Sequence, residues 1–331
     1  MKAIVNTAPG QLEFQELPLP QPGAGQVRIR TGACAICATD LVMIAGWDRT
    51  GFPAIPGHEW AGTIDAVGAG VDGAMVGLKC VADNVWSTGG EVGFEHSGGY
   101  GQYFVTEADN LRLLPDEYEL SHAALIEPLA VCIRGLARLR EGGAMLSRQT
   151  IRRSVLILGD GPIGLLSLAL FAAKGHTDIV LMGGRDNRLA LARQLGAGAT
   201  VNYHTLGDKL IEGIQALGQR DYGIVIEASG SGAALETAVA LAGRQARVLV
   251  IGDYAQSRAN FPISTLQHRE MELLGSNASA GAWDDAVAMA TCGKVPLGRL
   301  ITHRLPASDF AKGIALMSSR NPDAIKVVLE W

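Results

Sequence analysis

From Ser154 onward the chain keeps one rhythm. Continuous β-branched runs (SVLIL, DIVLM, YGIVIEA, ARVLVI) alternate with segments of helical spacing such as PIGLLSLALFAAK and NRLALARQLGA. Strands that are apolar without alternation are buried on both faces, and strands that alternate with helices pair in parallel. The rhythm therefore predicts an α/β fold with a doubly wound parallel sheet. The first 125 residues read otherwise: KAIVN, QVRIRTGAC, AGTIDAVG, LKCVAD and GQYFVT are short strands bounded by Gly, Pro or Asn, as in an irregular β-barrel. After MELLGS the alternation stops, and AWDDAVAMATCGK followed by KVVLEW reads as a helix and a strand returning to the first domain. The expected division is residues 1–126 with 277–331, enclosing a nucleotide-binding domain at 127–276. Residues 140–153, REGGAMLSRQTIRR, read as a polar, basic linker with solvent-facing arginines.

Composition narrows the function classes. A chain of 331 residues that is 48% hydrophobic can bury two cores. Its net charge of −5 lacks the basic excess that nucleic acid demands. No apolar run reaches the roughly 18 residues of a membrane span, and MKAIVNTAPG has neither the charged start nor the apolar middle of a signal peptide. A cytoplasmic protein with no membrane partner is expected. Cys34, Cys37, Cys80, Cys132 and Cys292 are an odd, scattered set, which reads as reduced thiols rather than a disulfide framework.

Gly159-Asp160-Gly161-Pro162-Ile163-Gly164 follows the strand SVLIL and opens a helix. Glycines in that context allow a tight turn and close approach to a pyrophosphate, which the free N–H groups of the helix start then hold. An acid about 20 residues on normally takes the ribose hydroxyls of NAD. Counting places Gly183 there, followed by Gly184 and Arg185. Glycine cannot accept those bonds, whereas Arg185 presents a planar donor fork to a 2′-phosphate, so NADP is the sharper expectation. The alternative is that the strand ends later, that Asp186 is the acid and that NAD is the cofactor.

Cys37-Ala38-Thr39-Asp40, Gly57-His58-Glu59 and Glu127-Pro128 add a thiolate, an imidazole and carboxylates from three segments. Such a mixture suits a tetrahedral zinc with three protein ligands and one open position, at which an alcohol or carbonyl oxygen is polarised for hydride transfer. Thr39 lies two residues from the cysteine, and its hydroxyl suits a proton relay. Taken singly, each residue is more often ordinary packing.

In this order the motifs resemble the zinc-dependent medium-chain dehydrogenase/reductases of the alcohol dehydrogenase superfamily, nearly end to end and including LITH (300–303) and IKVVL (325–329). Glu127-Pro128 and GGYGQYFV are most similar to the polyol branch of sorbitol, threonine and amino-cyclitol dehydrogenases. The resemblance implies a GroES-like catalytic domain enclosing a Rossmann domain, with the active site in the cleft between them. It implies Cys37, His58 and Glu127 as ligands of a catalytic zinc, Glu59 as an alternating ligand, Thr39 in the proton relay and Asp40 orienting a ligand. A homodimer or homotetramer is the implied assembly.

Three departures stand out. Residues 81–99 contain no cysteine, so the lobe that commonly holds a structural zinc is expected to be short and to bind none, leaving one zinc per subunit. Val42 stands where the polyol branch often has a relay histidine. Gly183-Gly184-Arg185 with Tyr203 resembles the Gly-Ser-Arg…Tyr pattern of NADP-dependent bacterial secondary alcohol dehydrogenases, which places Tyr203 near the adenine unless it is a packed core aromatic. Lys326 matches a basic residue used near the pyrophosphate, or is a surface lysine. Trp47, Phe52, Phe94, Glu95 and His96 are candidate pocket residues, the last two suiting a hydroxylated substrate, although each taken singly is more often an ordinary packing or loop residue. The expected activity is oxidation of a secondary alcohol (a polyol, sugar derivative or cyclitol) to a ketone with NADP. A zinc-free reductase and a non-enzymatic nucleotide sensor are the competing classes.

Overall fold

The computed structural model describes residues 1–141, 154–217, 221–319 and 321–331, so most of the expected basic linker at 140–153 lies outside the described residues. Two compact units result, Met1–Glu127 with Trp283–Trp331, and Pro128–Ala282. The breaks fall after Glu127 and Ala282, against expected breaks after 126 and 276.

The first unit opens with strands β1 (Lys2–Ala8), β2 (Gln11–Glu16) and β3 (Gln26–Ala35), helix α1 (Ala38–Gly46) and strands β4 (Glu59–Val67), β5 (Lys79–Ala82), β6 (Tyr103–Glu107) and β7 (Leu111–Leu113). Helices α2 (Leu120–Ala123) and α3 (Ile126–Glu141) follow, and the unit break falls in the first turn of α3. The second unit runs β8 (Val155–Leu158), α4 (Pro162–Ala173), β9 (Ile179–Gly183), α5 (Asp186–Gln194), β10 (Ala199–Asn202), α6 (Tyr203–Leu206), α7 (Leu210–Gln215), β11 (Tyr222–Glu227), α8 (Gly232–Leu241), β12 (Ala242–Val250), α9 (Ser264–Arg269) and β13 (Glu272–Gly275). The chain returns to the first unit through α10 (Trp283–Thr291), β14 (Ile301–Pro306), α11 (Phe310–Ser318) and β15 (Lys326–Glu330).

In the second unit six parallel strands lie in the order β10-β9-β8-β11-β12-β13. This is the doubly wound order, in which the chain reverses direction across the sheet beside β8, where such sheets bind nucleotides. Every residue of β8, β9 and β11 is buried, which is why those runs carry no polar alternation.

In the first unit a seven-stranded sheet runs β14-β15-β3-β4-β5-β7, with β6 also pairing β3 and the β1–β2 hairpin beside it. Ile4, Ile29, Ile64, Trp60, Tyr100 and Phe104 are almost completely buried in its core. The strand β3 is central to function, because its last residue Ala35 pairs with Glu59 of β4 on one side and Val328 of β15 on the other. One register thus brings the ends of three distant segments together just before Cys37.

The lobe at residues 83–99 has no cysteine and is pinned otherwise. Arg49 binds Glu91 at 2.7 Å and Glu95 at 2.6 and 3.1 Å, its guanidinium sits 4.5 Å above the Phe94 ring, and Trp86 stacks on His96 at 3.8 Å. A two-carboxylate clamp of this kind outperforms an isolated surface pair. The segment Leu120–Leu139 is the most apolar long stretch among the described residues, with a mean hydropathy of 1.3, and 67% of its apolar part is buried, as in a core segment of the fold.

Arg49→Met is expected to lower the unfolding free energy by about 1–2 kcal/mol in urea titrations, with Arg49→Lys recovering less than half because it lacks the fork.

Candidate active site

The local sequence around Cys37 dictates its geometry. Cys37 is the extended N-cap of α1, and the Asp40 carboxylate at the third helical position accepts the Cys37 N–H at 2.8 Å. Asp40 is completely buried, and the same Oδ2 accepts the hydroxyl of Tyr100 at 3.3 Å. Its Oδ1 lies 3.1 Å from His58 Nδ1, and neither atom has another partner among the described residues. Burial and Asp40 hold the Tyr100 phenol well above its ordinary range, so it stays a donor. Burial disfavours a charged His58, but Asp40 and Cys37 outweigh it and raise the imidazole well above its usual value.

His58 is delivered by Gly57, whose φ of +101° suits glycine and whose missing Cβ would stand 2.8 Å from Cys34 Sγ and from the Tyr100 backbone nitrogen. Asn84 then fixes the His58 backbone by donating to its carbonyl at 2.8 Å, while accepting the Trp60 indole at 2.9 Å. The His58 ring stacks on Phe94 at 4.8 Å, and Trp47 meets Phe94 edge-on at 6.2 Å.

Cys37, His58 and Glu59 present one ligand atom each within 4.8 Å of one another. The Thr39 hydroxyl lies 3.6 Å from Cys37 Sγ. Glu127, the fourth expected ligand, stands outside that 4.8 Å group. It is near enough to be affected by it: burial pushes its carboxyl up to about 7, His58 opposing and Glu59 adding to the rise. Both oxygens of Glu59 receive the ammonium of Lys326, which is 3% exposed. This corrects the surface-lysine reading and gives Lys326 a buried partner in Glu59. The β15–β3–β4 register explains the pairing, which no spacing in the sequence reveals. Burial opposes the charge on Lys326, but Glu59 and then Cys37 outweigh it and push the ammonium up to about 12.

Among the expected pocket residues, Phe94 stacks on His58 and Trp47 meets Phe94, while Trp47 and Phe52 are both more than a third exposed. Glu95 and His96 are already engaged, Glu95 with Arg49 and His96 with Trp86 and the Gly89 carbonyl. They are therefore lobe struts, not free groups awaiting a hydroxylated substrate.

In the second unit Gly159-Asp160-Gly161-Pro162-Ile163-Gly164 joins β8 to α4 with Pro162 as the first helical residue. A Cβ on Gly164 would fall 2.0 Å from the Gly159 carbonyl oxygen, whereas one on Gly161 would meet open space. This is a helix start packed tightly on its strand and bare on its outer side, which fits a dinucleotide pyrophosphate. Strand β9 ends at Gly183, where counting placed it. Asp186, the alternative ribose acid, begins α5 and accepts the Asn202 amide at 2.7 Å. Tyr203 lies over Gly184 and is 41% exposed, which excludes the core-aromatic reading. Sequence reasoning missed Asp160, whose carboxylate accepts N–H bonds from Gly184 and Arg185 at 2.9 Å each and the Arg185 Nη1 at 2.7 Å. The signal was a carboxylate at the second position of the glycine motif.

Comparison with known proteins agrees with this geometry. Residues 120–331 match the family model described as glucose dehydrogenase C-terminus, and residues 23–116 match the alcohol dehydrogenase GroES-like domain. The chain belongs to the zinc-type medium-chain alcohol dehydrogenase superfamily, in its polyol-dehydrogenase-like branch. It is similar to D-arabitol-phosphate dehydrogenase of Enterococcus avium (27% identical, covering 100% of this chain and 97% of that one). It is likewise similar to sorbitol dehydrogenase of Halalkalibacterium halodurans (28% identical, 99% of each). Among solved structures, an alcohol dehydrogenase of Escherichia coli CFT073 complexed with NADH superposes with a TM-score of 0.91 (26% identical, 100% of this chain and 99% of that one). Accordingly this dehydrogenase is an enzyme with a GroES-like domain and a Rossmann sheet, acting on a small-molecule alcohol with a nicotinamide cofactor.

Asp40→Asn removes the charge facing His58 while keeping the shape, and is expected to lower zinc affinity by about 10–100-fold in competition with a chromophoric chelator.

Proposed function

We propose that this dehydrogenase binds one catalytic zinc per subunit and oxidises an uncharged secondary alcohol (a polyol, sugar derivative or cyclitol) to the ketone, preferring NADP. The observation that carries the reading is the thiolate, imidazole and carboxylate of Cys37, His58 and Glu59 within 4.8 Å, backed by the solvent-free Asp40. That donor set suits a catalytic zinc with an open position, and an imidazole whose Nδ1 faces a carboxylate has its other nitrogen available to an ion. When bound, zinc polarises the substrate oxygen and the nicotinamide accepts or returns hydride.

The chain's own contributions follow from the geometry. Cys37 and His58 hold the ion, with Glu127 or Glu59 as the third ligand. Glu59 already holds the Lys326 ammonium, so Lys326 biases which glutamate serves. Asp40 fixes the His58 ring, and Thr39 Oγ1 accepts the substrate proton beside Cys37. With Val42 in place of a relay histidine and 47% exposed, the proton leaves through water or cofactor hydroxyls. Gly159, Gly161, Pro162, Ile163 and Gly164 cradle the pyrophosphate, while Gly183, Gly184, Arg185 and Tyr203 surround the adenosine 2′-phosphate. The preference for an uncharged alcohol is supported by Arg49, whose guanidinium sits over Phe94 and is already neutralised by Glu91 and Glu95. A cytoplasmic homodimer or homotetramer completes the reading.

A screen of polyols, cyclitols and simple secondary alcohols against both cofactors, with zinc assayed alongside, tests it. Chelation or Cys37→Ser is expected to abolish turnover, and Arg185→Ala to weaken NADPH binding roughly tenfold with little effect on NADH. Full activity in metal-free protein would favour a zinc-free reductase instead.

A further inference from the structure

The nucleotide site has an acid, but in an unexpected place. Where an acid would normally end β9, Gly183 leaves room, and that room is filled: a Cβ on Gly183 would stand 2.5 Å from the Asp160 Cβ and 2.6 Å from its Oδ2. Asp160 therefore occupies the space of the missing side chain, approaching from the glycine loop after β8 rather than from the end of β9.

Its two oxygens are differently committed. Oδ2 accepts the backbone N–H groups of Gly184 and Arg185, each at 2.9 Å, and so fixes the turn between β9 and α5. Oδ1 is held at 2.7 Å by Arg185 Nη1, with Arg188 Nη1 at 3.8 Å. The carboxylate side chain is 5% exposed and the Arg185 side chain 33%, so the arginine is the outer, exchangeable member of the pair. Arg188 is the inner cation, 6% exposed, and also donates to the Asp160 carbonyl oxygen at 3.4 Å.

We propose that Asp160 sets the 2′-selectivity of this site, offering Oδ1 to an unphosphorylated ribose and competing with a 2′-phosphate for Arg185. A ribose hydroxyl donates a hydrogen bond to a carboxylate and leaves the ion pair in place. A 2′-phosphate has no such proton to give at neutral pH, brings about −1.5 to −2 charges toward Asp160, and binds Arg185 only by drawing it off the carboxylate. Arg185 thus favours NADP and Asp160 restrains that preference, keeping NAD a usable cofactor. The inference rests on the 2′-site location given above, and adds to it the residue that opposes Arg185.

The test titrates NADH and NADPH by fluorescence into the full-length wild type, Asp160→Asn, Arg185→Ala, Gly183→Asp and the double variant Asp160→Ala/Gly183→Asp, with thermal unfolding as a fold control. Asp160→Asn keeps the side-chain volume, and is expected to move the affinity ratio roughly tenfold toward NADPH. Gly183→Asp alone is expected to lose both cofactors and thermal stability, because two side chains claim one space. The double variant returns the acid to the strand end and is expected to regain NADH binding. An unchanged ratio in Asp160→Asn, a shift toward NADH, or a double variant no better than Gly183→Asp alone would overturn the proposal. If Arg185→Ala leaves NADPH affinity intact while Asp160→Asn weakens NADH, the NADP preference fails and the role of Asp160 stands.

Discussion

A carboxylate without access to solvent, that of Asp40, holds the catalytic end of the first unit together. It accepts the Cys37 N–H and the Tyr100 hydroxyl through one oxygen and faces the His58 ring with the other. A buried charge survives only if its surroundings supply donors or a counter-charge, so each of these contacts is obligatory rather than incidental. The Cys37 sulfur and the His58 imidazole, the proposed zinc ligands, are thereby placed by a third side chain. Around this centre the packing follows: Gly57 lets the chain pass Cys34 and Tyr100, Asn84 ties the His58 backbone to Trp60, and Phe94 backs the His58 ring.

A second carboxylate plays a comparable part in the other unit. Asp160 lies on the glycine loop yet orders the turn after β9, so the two loops of the nucleotide site share one charge. In both units, then, a buried acid from one segment accepts backbone N–H groups at the start of a helix, Cys37 before α1 and Arg185 before α5. Each also meets a basic side chain, His58 or Arg185, that the chemistry is expected to use.

The Rossmann half was legible because continuous apolar strands and intervening helical spacing admit few alternatives, and β8, β9, β11 and β12 fall where those runs were read. The first half showed its main strands but not β2, which is largely exposed, or β7, which is only three residues long. Of the site, Cys37, His58, Glu59, Thr39 and Asp40 could be read because they are close in sequence and chemically distinctive. Lys326 could not, since its partner Glu59 is set by strand register 267 residues away. Asp160 was not legible because the N–H groups it accepts, those of Gly184 and Arg185, lie on a separate turn 24 and 25 residues away. Glu95 and His96 could be read either as pocket residues or as packing residues, and in a lobe without cysteines they cross-link to Arg49 and Trp86.

On the proposed reading, Cys37 and His58, arranged by Asp40, hold one catalytic zinc and the shortened lobe holds none. Zinc-edge X-ray absorption with metal analysis on the purified enzyme tests it most directly. The expected result is one zinc per chain with a single sulfur ligand at about 2.3 Å and nitrogen or oxygen ligands at about 2.0–2.2 Å. A shell with several sulfurs, a second zinc per chain, or an active enzyme without zinc would contradict it.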